Sequence, residues 1–132
     1  MITTTDIGDI LYGICKAGFS IADVYRGGNI PDGEITTERI VIHPKPQTQG
    51  KIWDKSFTEV NLVVPDTPSG NADLARLGQL ERSARKVLNG AGSYDGVTYQ
   101  FSVSQTNILE DKQFRCHFVN VKVLFKSMNI VE

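Results

Sequence analysis

The sequence predicts one α+β domain over residues 1–132, a mostly antiparallel sheet of four to five strands with two helices in the order α-β-β-β-α-β-β. Three observations carry this. Val97, Tyr99, Phe101 and Val103 alternate with Thr98, Gln100 and Ser102, the period of a strand with one buried face. A longer run, Phe114–Phe125, is rich in β-branched and aromatic residues and follows the acidic turn Glu110-Asp111-Lys112, so the two runs read as a closing hairpin. An amphipathic helix over Asn71–Asn89 precedes that hairpin and needs a sheet to lie on.

The remaining elements follow in chain order. Ile7, Ile10, Leu11, Ile14 and Cys15 form one apolar stripe, which predicts a helix over Thr4–Lys16. Thr3 with Asp6 is a capping box for it, and Gly18 suits the position just past its end. Ser20–Arg26 reads as an edge strand or extended passage, and Gly27–Gly33 as a turn cluster. Glu38–His43 is a compact β-branched run stopped by Pro44 and Pro46, because proline cannot donate to a strand ladder. Ser56–Val64 restores alternation, with Val60, Leu62 and Val64 on one side. These two runs are expected to be arms of a hairpin with a long extended tip.

Pro65–Gly70 breaks that second arm. In the helix that follows, Asn71 is the expected N-cap, Asp73 favours the first turn, and Gly90 follows the last. Leu74, Leu77, Leu80, Ala84, Val87 and Leu88 form its apolar stripe. Gly90–Gly96 is expected to be a flexible connector. The last strand changes phase: Phe114, Cys116 and Phe118 share one parity, while Val119, Val121, Val123 and Phe125 share the other. That predicts either a β-bulge near Phe118-Val119 or a strand with both faces partly covered, by the first helix or by a neighbouring subunit.

Composition sets broad limits. A chain of 132 residues with 40% hydrophobic residues buries a core without metal or disulfide. A net charge of −1 gives no bulk attraction to nucleic acid or anionic membrane, so DNA contact would need a local patch. No run reaches the ~18 apolar residues of a membrane span. The first residues, Met1–Asp9, lack the basic start and apolar core of a signal peptide, which makes the cytoplasm the expected place of residence. Cys15 and Cys116 are expected as buried thiols, with a disulfide between them the alternative.

The expected chemistry is binding rather than catalysis: not an enzyme, and no cofactor or metal. His43 and His117 have no Cys, Asp or Glu at ligand spacing; His43 reads as a strand-end residue and His117 as a packed or rim histidine. Gly27-Gly28-Asn29 is not followed by the residues of a phosphate-binding loop. Asp6, Asp9, Glu110 and Asp111 sit in capping and turn contexts. Two groups suit a partner or a polyanion. One is Lys45, Lys51, Trp53 and Lys55, read as a protruding arm, against a solvated loop with Trp53 tucked inside. The other is Arg76, Arg82, Arg85 and Lys86 on the second helix, against an ordinary solvated helix face.

The stripe Ile7–Cys15, the strand Ser56–Val64 ending in Pro65-Asp66, the helix Asn71–Asn89 and the hairpin Val97–Phe125 together resemble the tail-terminator and head–tail joining proteins of long-tailed bacteriophages. The resemblance spans nearly the whole chain and is architectural. It implies a structural virion protein without catalytic residues, forming a homo-oligomeric ring, commonly a hexamer, at the head–tail junction. It also implies tail-tube and connector or portal-adaptor proteins as partners, non-specific passage of DNA, no membrane, and assembly in the host cytoplasm. The alternative expectation is a small intracellular adaptor or chaperone-like module using the 44–55 loop.

Overall fold

The computed structural model describes residues 1–27 and 33–129. Its elements run α1 (Thr4–Gly18), β1 (Val24–Arg26), β2 (Arg39–His43), β3 (Trp53–Pro65), α2 (Leu74–Val87), β4 (Gly90–Tyr94), β5 (Val97–Asp111) and β6 (Cys116–Met128). The architecture is α+β, with six strands rather than four to five. They form one sheet in the order β1-β2-β3-β6-β5-β4. β1 and β2 are parallel, and every other neighbouring pair is antiparallel.

Both helices pack on the same face of this sheet. Ile7, Leu11 and Cys15 of α1 and Leu77, Leu80 and Ala84 of α2 meet Ile40, Ile42, Val60, Leu62, Val119, Val121, Val123 and Phe125 in one continuous core. Successive strand residues point to opposite faces, so this single alternating set fixes the register of the three central strands. α1 begins as expected: the Asp6 N–H donates to Thr3 Oγ1 (3.1 Å) and the Thr3 N–H donates to Asp6 Oδ2 (2.9 Å). Gly18 is not a left-handed cap. The helix stops in extended geometry at Phe19, and a Cβ on Gly18 would lie 2.4 Å from Val87 Cγ1, so the glycine lets the two helix ends meet.

Several boundaries and one element depart from expectation. α2 is capped by Asp73, whose Oδ1 accepts from the Arg76 N–H (3.2 Å), and not by Asn71. Asn71 instead closes the preceding turn, its N–H donating to Thr67 Oγ1. Gly90–Gly96 is not a flexible connector: Gly90–Tyr94 pairs with Val97–Phe101 as the outer strand of a tight hairpin. Asp95 (φ 51°) and Gly96 (φ 77°) both take positive φ, as a two-residue turn between right-twisted strands demands. The final hairpin is longer than its sequence signal. The bulge lies in β5, where Ser104 is the extra residue between Val103 and Gln105, and not in β6, which pairs with β3 without a break. The turn cluster Gly27–Gly33 falls largely outside the described residues.

The phase change in β6 comes from two-sided burial. Val41, Val63 and Cys116 form a second, small cluster on the face away from the helices, with Ile35, Phe114 and Phe118 against it. Within the chain that cover is not the first helix but the segment before β2 and the β5–β6 turn. The sheet also lies between Cys15 and Cys116, which are both unpaired and buried.

The uncovered sheet face as candidate functional site

Beyond the small cluster, the face of the sheet opposite the helices carries no second layer among the described residues. Cross-strand register places Trp53 opposite Met128, Lys55 opposite Lys126, Phe57 opposite Leu124, Glu59 opposite Lys122 and Asn61 opposite Asn120. The face is zoned along β3 and β6. One end is apolar and basic: Phe57 is 47% exposed and Met128 37%, beside Trp53, Lys55, Leu124 and Lys126. The middle is polar, where Asn120 Nδ2 donates to Asn61 Oδ1 (2.7 Å) and Glu59 Oε1 (3.1 Å). The other end is the small apolar cluster, next to exposed Leu109.

The expected residues divide between two faces. The segment carrying Lys45, Lys51, Trp53 and Lys55 is not a protruding arm. Thr48 and Lys55 exchange two backbone hydrogen bonds (2.7 and 2.9 Å), and Gln47 Nε2 donates to the Ile2 carbonyl (3.1 Å), so the chain folds back along β3. Trp53 opens β3, half-buried, with the Lys126 ammonium 5.8 Å from its ring centroid. Lys45 pairs with Glu59 Oε2 (3.0 Å), while Lys51 and Lys55 are exposed. Arg76 is a structural clamp, its Nε and Nη2 donating to the two oxygens of Glu38 (2.7 and 2.8 Å) and tying α2 to the approach to β2. Arg82, Arg85 and Lys86 are exposed on α2, on the opposite side of the sheet from Trp53 and Lys55. The two groups therefore cannot act on one ligand within a single subunit.

Electrostatics on the uncovered face follow from these pairings. The Lys45 ammonium, then the Asn120 amide, hold the Glu59 carboxyl below its usual range. Burial, then Lys45, lowers the pKa of His43 at the end of β2, which favours its neutral form. Burial pushes the Cys116 thiol up to about 11 and the Cys15 thiol up to about 12, so both are protonated and poor nucleophiles at neutral pH. Lys55 and Lys126 stand directly opposite one another, an arrangement of like charges that costs stability unless an anion lies over it.

Sequence reasoning missed two features. Leu124, Lys126 and Met128 join Trp53, Lys55 and Phe57 only through the β3–β6 register, which spans some 70 residues of chain. The second is a contact on the helix side at the sheet end, where His117 Nδ1 lies 2.6 Å from Asp66 Oδ1 and Nε2 lies 3.9 Å from Glu110 Oε2. It fastens β6 to the loop before α2. Among the described residues no three His, Cys, Asp or Glu side chains converge as a metal site, and no helix is long and apolar enough to cross a membrane. Comparison with protein-family models and with curated proteins finds no match to this chain.

Proposed function

We propose that the chain is a ring-forming structural subunit of a bacteriophage head–tail junction, of the tail-terminator or connector type, and that the uncovered sheet face is where one copy meets the next. The observation that carries this reading is the apolar and basic end of that face. Phe57 and Met128 are exposed beside Trp53 and Leu124, around the pair Lys55–Lys126, which has no carboxylate partner among the described residues. An exposed apolar patch of this kind favours a protein partner, and the two lysines favour one that brings carboxylates. A ring closes through heterologous contacts, so the surface facing this patch is a different one on the neighbour.

In this reading, tail-tube and connector or portal-adaptor rings stack above and below, and DNA passes through the channel non-specifically. Arg82, Arg85 and Lys86, exposed on the helix side, supply phosphate contacts that do not depend on sequence. The protein then resides in the virion after assembly in the host cytoplasm.

Multi-angle light scattering and negative-stain imaging test the proposal, with the purified chain alone and mixed with tail-tube protein. Closed rings are expected in at least one condition, and Phe57→Ser with Lys126→Glu should abolish them while leaving the fold intact. A strict monomer in both conditions overturns the proposal. Capture of one soluble cellular partner by that monomer, lost on shortening residues 44–52, would favour the adaptor instead.

A further inference from the structure

At the opposite end of the uncovered face lies a cavity of about 300 Å³, lined by Ile35, Val41, Val63, Phe114 and Phe118, with Cys116 in its floor. Its walls are apolar, yet Arg39 enters from β2. Among the described residues the Arg39 guanidinium forms no ion pair, and its Nε is buried without a hydrogen-bond partner. The Tyr25 ring lies 5.7 Å away, holding the cation by its face and supplying no acceptor. A shielded guanidinium N–H without an acceptor is costly. Among the described residues two other arginines do have carboxylates, Arg26 with Asp9 and Arg76 with Glu38.

We propose that this cavity is a binding site for a small amphipathic carboxylate, its head on Arg39 and its apolar tail along Val63 and Phe118 toward Phe114. The charged residues around the cavity fix that direction. Asp111 lines it from β5, three strands from Arg39 in the order β2-β3-β6-β5, and repels a carboxylate from that end. At about 4.8 Å per strand the two rims are some 14 Å apart, the reach of a medium-length acyl chain with its head group. His43 also lines the cavity and adds a neutral donor or acceptor rather than a second charge. The size lies at the low end of small-ligand pockets, which are mostly apolar with a few convergent polar groups. This site is independent of ring formation and stands or falls separately.

Sodium octanoate and 1-octanol are the probes, titrated into the ¹⁵N-labelled chain and followed by NMR. Octanoate should give saturable shifts confined to the Val41, Val63, Cys116 and Phe118 amides and a shift of the Arg39 Nε–H resonance. Octanol, with the same tail and no charge, should bind about tenfold more weakly, the loss expected for one charge-assisted hydrogen bond. Arg39→Gln should bring the two probes within about twofold of each other without weakening octanol. Equal affinities in the unaltered chain, absence of saturation, or shifts scattered over Phe57, Leu124 and Met128 would each overturn the site. The comparison of the two probes on the unaltered chain decides the matter even if Arg39→Gln does not fold.

Discussion

The two faces of the central strands are made from alternate residues of the same sequence, yet they behave as different materials. On the helix side of β6, Val119, Val121, Val123 and Phe125 are buried to 1% exposure or less, and Ser56 and Thr58 on β3 are buried with them. Even those hydroxyls are satisfied: Ser56 Oγ donates to the Lys45 carbonyl (2.9 Å) and lies 3.2 Å from Thr58 Oγ1. On the other side, apolar ends flank a polar middle, and lysines oppose one another. The helix side therefore specifies the fold, whereas the uncovered side contributes little stability to the monomer.

The sharpest way to break this contrast is to truncate one phenylalanine on each face. Phe125, stacked with Tyr99 at 5.2 Å between ring centroids, has no slack around it. Phe125→Ala should cost about 3–5 kcal/mol, enough to unfold a marginal domain at moderate urea. Phe57→Ala, at an exposed site, should stay within about 0.5 kcal/mol in the monomer. Urea midpoints at constant m-value measure both, and comparable losses at the two positions would mean that the uncovered face belongs to the core.

The helix side was also the legible one. Period-two alternation in β3, β5 and β6 and the stripe of α1 reflect burial against one layer, and that is what hydropathy patterns record. The second face was legible only as an anomaly, the parity change at Phe118-Val119, because Phe114, Cys116 and Phe118 meet Ile35, Val41 and Val63 only through packing and strand register. A bulge and a two-sided strand leave the same trace in sequence. β4 was hidden for another reason: Gly90, Ala91 and Gly92 lack β propensity, and the strand exists because it pairs with β5. Its cue was Asp95-Gly96, a strong short hairpin signal that the glycine-rich context obscured. The candidate patch was half visible. Trp53 and Lys55 are local in sequence, but Leu124, Lys126 and Met128 reach them only by register.

That hairpin gives a second, smaller test, at the edge rather than the centre of the sheet. Gly96 has φ 77° and no atom within 4 Å of a would-be Cβ, so strain rather than crowding is the whole penalty. Gly96→Ala should cost about 1–2 kcal/mol. Hydrogen exchange should show the loss locally, at the Gly90–Tyr94 amides, before the β3–β6 amides change. Equal loss of protection in both places would join the edge to the central folding unit.

The smallest effect concerns charge on the uncovered face. Glu59 accepts from Lys45 and Asn120 and faces Lys122 across the β3–β6 pair, with His43 opposite on β2. Because its carboxyl titrates below the unfolded value, its contribution is fully present above that value. It is lost as pH falls through the folded one. His43, held neutral when folded, acts in the same direction, losing stability as pH drops through its unfolded range. Glu59→Gln should therefore be less stable than the unaltered chain at pH 7, and the two should converge on acidification below the ordinary carboxylate range. Added salt should narrow the gap at pH 7, since Lys45 is exposed and the pair is screened. Urea midpoints from pH 7 to pH 3 give both curves. A gap that persists at the acid end would assign the effect to packing of the Glu59 stem against Asn120 and not to its charge.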